Sequence, residues 1–108
     1  LQNINNILRV FETYLPIMDA KDRVVSTFAN SCINDVADHI IKTYNADIGL
    51  VINTTSNKVS FRKSKECEVD LAKLSQSMCE SGGGHSFAAG GLLCDRFMEI
   101  SKLFTPVT

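Results

Sequence analysis

Apolar positions recur at helical spacing over residues 2–15, where Ile4, Ile7, Leu8, Phe11 and Leu15 share one face and Pro16 follows. This pattern predicts a short amphipathic helix stopped by the proline. Residues 21–44 carry two readings. Val25, Phe28, Cys32, Val36, Ile40 and Tyr44 fit one continuous helix from about Lys21. Alternatively, Arg23–Ala29 (RVVSTFA) is β-branched and aromatic enough for a strand, with a turn at Asn30-Ser31 and a helix from about Ile33 to Tyr44. Periodicity leaves both open.

The rest of the pattern is clearer. Asp47–Asn53 is a short apolar run, read as a buried strand, and Thr54–Asn57 is a polar turn. Lys58–Arg62 alternates, with Val59 and Phe61 on one face and Lys58, Ser60 and Arg62 on the other, so it is the hairpin partner. Val69–Cys79 is predicted helical, with Asp70 as N-cap and a buried stripe of Leu71, Leu74, Ser75 and Met78. Gly82 is expected to close it in a left-handed conformation. Leu92-Leu93-Cys94 then reads as an end strand, and Asp95 as the cap of a last helix running to about Phe104, before Pro106. These elements give an α/β fold with a mixed sheet of about four to five strands packed with helices.

At 108 residues the chain is the size of one domain. Its 11 basic and 12 acidic residues nearly cancel, which argues against a basic surface over the whole domain but permits a local patch. No apolar run approaches the roughly 20 residues that span a bilayer, so no membrane partner is expected. LQNINNILRV has no basic region followed by an apolar core and is not read as a signal peptide. The chain starts without Met and reads as a piece of something longer. Cys32, Cys67, Cys79 and Cys94 include no CxxC pair, so they are read as reduced packing residues rather than zinc ligands, and the expected compartment is the cytoplasm. Four cysteines would still allow three disulfide connectivities.

The segment SGGGHSFAAGG, Ser81 to Gly91, changes the picture most, because it holds five of the six glycines and one of the two histidines. Glycine backbone after a helix leaves N–H groups free to converge on an anion. His85 adds a donor for a phosphate oxygen, a base or a ribose. The plainer reading is a helix cap followed by a loose loop. Ala88-Ala89-Gly90-Gly91 counts against looseness, since four small residues imply close packing behind the segment, whereas a flexible linker would be polar.

GGGHSFAAG, Gly82 to Gly90, resembles the GGGHxxAAG signature of the DHHA1 domain, the C-terminal domain of DHH-family phosphoesterases: RecJ-type exonucleases, nano-RNases and cyclic-di-AMP phosphodiesterases. The resemblance extends upstream through INDVADHIIKTY, ADIGLVIN, TTSN, KVSFRKS and EVDLAKLSQSMCES, covering about Arg23 to Leu93, and it favours the split reading of residues 23–44. It implies that residues 1–20 are a linker helix from a missing N-terminal DHH domain and that residues 21–108 bind substrate. Short oligonucleotides or linear or cyclic dinucleotides are the implied substrates. Hydrolysis would belong to two divalent metals, usually manganese, in the missing domain. The family's substrate contacts carry over to Arg62, Gly82, Gly83, Gly84 and His85, and Arg62 suits phosphate because its guanidinium binds bidentately.

The sequence departs from the pattern at Lys63, where the family often has Ser; its charge is expected to face water rather than phosphate. Asp38-His39-Ile40 resembles the DHH triplet only superficially, lying mid-helix far from any second carboxylate cluster, and is rejected as a metal site. His39 is expected on the helix surface. No metal site and no catalytic residue can be assembled from this chain, so it should hydrolyse nothing alone. The alternative is a nucleic-acid-binding or assembly module, as at the C-terminus of alanyl-tRNA synthetase, although that version resembles a glycine-rich run without GGGH.

Overall fold

Strict alternation in the central strands decides which residues meet which helix. A computed structural model describes residues 9–14 and 22–107. Its strands are β1 (Phe11–Tyr14), β2 (Arg23–Phe28), β3 (Ile48–Asn53), β4 (Lys58–Lys63), β5 (Glu80–His85), β6 (Ala88–Leu92) and β7 (Thr105–Pro106). Its helices are α1 (Ile33–Thr43), α2 (Leu71–Met78) and α3 (Asp95–Ser101). The strands form one mixed sheet in the order β5-β6-β4-β3-β2-β1-β7. Among the described strands only β2 and β3 pair in parallel, joined by α1 as crossover.

Val24, Ile48, Leu50, Ile52, Val59 and Phe61 point to one face, where Leu71, Leu74 and Met78 of α2 and Phe97 of α3 complete the main core. Val25 and Val51 point the other way and meet Val36, Ala37 and Ile40 of α1. The result is three layers, α/β/α. α1 lies close on β3 because Gly49 has no side chain; a Cβ there would stand 2.9 Å from Ile41 and 3.1 Å from the Ala37 carbonyl.

The split reading of residues 23–44 is the one observed. The sheet is wider than the four to five strands expected, because β1, β5 and β7 join it. The predicted N-terminal helix is corrected over Phe11–Tyr14, which is strand; residues 2–8 and Leu15 lie outside the described residues. Pairing outweighs the helical spacing here. β1 bonds to both β2 and β7, Phe11 meets Phe28 edge-on with ring centroids 6.4 Å apart, and Glu12 pairs with Arg23 at 3.3 Å. Arg23 also donates to the Tyr44 carbonyl and so ties β2 to the end of α1.

Asp70 caps α2 as expected, accepting from the Ala72 and Lys73 amides at 3.0 and 3.3 Å. Asp70→Ala should cost about 1 kcal/mol, read as a lower midpoint in urea with an unchanged slope. The other end departs from expectation. α2 ends at Cys79 in extended backbone, and Ser81 rather than Gly82 takes the left-handed conformation, with φ 53°. α3 starts at Asp95 with Cys94 in the cap position, and it stops at Ser101 rather than Phe104.

All four cysteines are free thiols. Burial and the nearby Cys94 push the Cys79 thiol up from 9.0 to about 11, a packing role rather than a reactive one. Among the described residues, no helix is long and apolar enough to cross a membrane.

Candidate functional site

The glycine segment is not a loop. Glu80–His85 forms the edge strand β5, turns at Ser86-Phe87 and returns as β6, which pairs with β4. An edge strand keeps one row of its backbone groups free of sheet pairing. A register shift between Glu80 and Gly83 marks a bulge next to Ser81. The hairpin tip is fixed to α2, because the Ser86 carbonyl accepts from the first helical amide, Leu71, at 2.9 Å.

Register brings the expected residues together. Arg62 on β4 pairs with Ala88 on β6, and Ala88 pairs with His85 on β5. Directly paired residues share a face of an antiparallel sheet, so Arg62 and His85 flank the small Ala88 in one row, on the face that carries α1. Gly49 precedes them in the same row, opposite Arg62. Thus the glycine that lets α1 approach β3 also sets α1 beside Arg62.

Here a cleft of about 640 Å³ opens, lined by Asp38 and Lys42 of α1, Arg62 and Lys63 at the end of β4, Lys65 and Glu66 of the following turn, and Phe87. Four cations face two carboxylates, so the cleft is locally basic on a chain whose formal net charge is −1. Arg62 is about one-third exposed, and its guanidinium stands 3.8 Å from the Asp38 carboxylate, beyond hydrogen-bond range. His85 is exposed and stacks on Phe87, with ring centroids 5.2 Å apart and planes 12° apart. Phe87 is 62% exposed, so one aromatic face is available at the cleft wall. A second hollow of about 420 Å³ continues along the same face over Lys58, Ser60, Ser81 and Gly90.

The three glycines divide by direction. A Cβ on Gly82 would lie 2.3 Å from the Ser75 carbonyl oxygen, so this position is needed for α2 to seat on β5. Gly84 has φ 132°, which side chains rarely adopt, and a Cβ there would crowd Ala88 and Ala89. Gly83 is different: it lies on the face of His85, and the nearest atom to a Cβ would be Gln76 Nε2 at 4.0 Å. The close packing inferred behind the small residues is present too, since a Cβ on Gly91 would come 2.5 Å from that of Cys79.

Lys63 does not simply face water, as expected; it donates to the Val69 carbonyl at 2.6 Å and braces the turn that carries Lys65 and Glu66. His39 sits on α1 near Thr43, with 3.4 Å between Nε2 and Oγ1. Among the described residues, no three His, Cys, Asp or Glu side chains converge as metal ligands. Sequence reasoning missed Lys42, Lys65 and Phe87, and it weighed Asp38 only as a metal ligand. Phe87 sits within the glycine-histidine segment and so was within reach of that reading. Asp38 and Arg62 lie 24 positions apart, and no spacing rule connects them.

No protein-family model and no curated protein matches the chain. Among solved structures, it is similar to a protein from Helicobacter pylori G27 described as uncharacterized, with 22% identity, a TM-score of 0.57 and 85% of this chain covered. It is also similar to the C-Ala domain of Aquifex aeolicus alanyl-tRNA synthetase, with 20% identity, a TM-score of 0.54 and 85% of this chain covered. The chain spans 23% of the Helicobacter protein and 92% of the C-Ala domain. These likenesses establish the fold, that of the C-Ala domain.

Proposed function

We propose that this chain is the substrate-binding unit of a phosphodiester-processing protein, and that the cleft beside Arg62 and His85 holds a nucleotide phosphate of a short oligonucleotide or a linear or cyclic dinucleotide. The observation that carries the reading is the Arg62–Ala88–His85 row opening onto a basic cleft with an exposed aromatic face. Guanidinium and ammonium groups suit phosphate oxygens, and a base can stack on Phe87. Binding and positioning are a large share of phosphoryl chemistry, which depends on alignment and charge stabilisation. The hydrolytic step would fall to a metal-bearing DHH domain outside this chain, with residues 1–20 leading from it. The resemblance of GGGHSFAAG supports this finer assignment.

A second reading is favoured by the coverage of the C-Ala domain: a nucleic-acid-binding or assembly module without hydrolysis. The upstream coding sequence separates the two. A DHH triplet with flanking aspartates supports the first, and synthetase motifs support the second. The site itself is tested by titrating pAp or a dinucleotide into the chain and mapping amide shifts. Shifts are expected at Gly82–His85 and Arg62; a response confined to other surfaces would place binding elsewhere.

A further inference from the structure

We infer that Asp38 reads the sugar of the bound nucleotide, so that the cleft selects ribonucleotides over deoxyribonucleotides. The inference rests on the nucleotide reading above and extends it to the class of substrate.

A carboxylate stands among the cations of the cleft. Asp38 lines the same cleft as Lys42, Arg62, Lys63 and Lys65, and its side chain is half exposed. An exposed contact of 3.8 Å contributes little to stability. Beside a phosphate clamp, a carboxylate weakens anion binding by like-charge repulsion. An ionised carboxylate can only accept hydrogen bonds. Phosphate oxygens and ring ethers offer it no donor; ribose hydroxyls and base N–H groups do, and the base is assigned to Phe87 on the hairpin. The 2′-hydroxyl is the group by which proteins tell RNA from DNA.

Position supports the assignment. Asp38 and Lys42 are one helical turn apart on α1, and α1 is drawn toward β3 at Gly49, which pairs with Arg62. Phosphate on Arg62 and a sugar against α1 leave Phe87 and His85, on the hairpin, for the base. A 2′-deoxyribose in that pose takes the 2′-hydroxyl donor away from Asp38 while its repulsion of the phosphate persists. A site built to hydrogen-bond a hydroxyl discriminates strongly against the analogue that lacks it.

The test measures Kd by calorimetry for pApA and for its 2′-deoxy counterpart, on the unaltered chain and on the Asp38→Ala and Asp38→Asn variants. The unaltered chain should prefer the ribo form by about tenfold, the lower end for a hydrogen bond to a charged group. Asp38→Ala should bring the two within about twofold, partly by tightening the deoxy form as repulsion is removed. Asp38→Asn should keep part of the preference, because its carbonyl still accepts. Equal binding of both sugars by the unaltered chain overturns this inference alone, as does an undiminished preference in Asp38→Ala. Binding of neither sugar overturns the nucleotide reading with it.

Discussion

Gly82→Ala should destabilise the domain by about 3 kcal/mol or more, while Gly83→Ala, one residue on, should change stability by less than about 0.5 kcal/mol. At Gly82 the new Cβ would sit 2.3 Å from the Ser75 carbonyl oxygen, 2.5 Å from its carbon and 2.7 Å from the Gln76 nitrogen. Those atoms are helix backbone and cannot turn aside as a side chain would. Relief requires α2 to lift from β5, opening the core around Leu71, Leu74 and Met78. At Gly83 there is open space and no positive φ, so a methyl group is accommodated. With roughly 4 °C lost per kcal/mol in a domain of this size, thermal denaturation should show Gly82→Ala lower by about 12 °C. Equal melting temperatures for the two variants would mean that α2 does not seat on Gly82 as described. The same pair separates packing from binding, because Gly83→Ala should weaken ligand binding in a fully folded domain.

Arg62→Ala should weaken binding of a phosphorylated dinucleotide by about 10- to 100-fold, the value of one charge-assisted, bidentate contact. Folding should hardly notice. Among the described residues the guanidinium makes one ion pair, with Asp38 at 3.8 Å, and no hydrogen bond. Arg62→Lys should recover only part of the affinity, since an ammonium keeps the charge but not the fork. Calorimetric titration at two salt concentrations checks this, and the salt dependence should be shallower in Arg62→Ala by about one phosphate contact. Unchanged affinity in a folded Arg62→Ala variant would remove the cleft from the binding path.

Much of this was legible before the structure. Alternation in Lys58–Arg62 placed Val59 and Phe61 inside and Arg62 outside, since side chains of a strand must alternate. Asp70 marked its helix start, because short polar side chains satisfy free helix amides. Gly82 was legible only as a glycine with a purpose. Its place after a helix suggests a terminator in left-handed backbone, whereas Ser81 takes that conformation and Gly82 accommodates the α2 backbone. A sequence shows that a side chain is absent but not what occupies the space.

The residues alone were enough for β3, β4 and α2 and for the inner and outer faces of β4. Those are local properties, written in spacing and residue type. The tertiary structure decided the rest. It turned Phe11–Tyr14 from a helical pattern into a strand, because hydrogen bonds to β2 and β7 outweigh the weak preference of a short segment. It also set Asp38, Lys42, Lys65 and Phe87 around Arg62. Their meeting depends on sheet register and on the distance at which α1 rests over Gly49, and neither quantity is written in the spacing of residues along the chain.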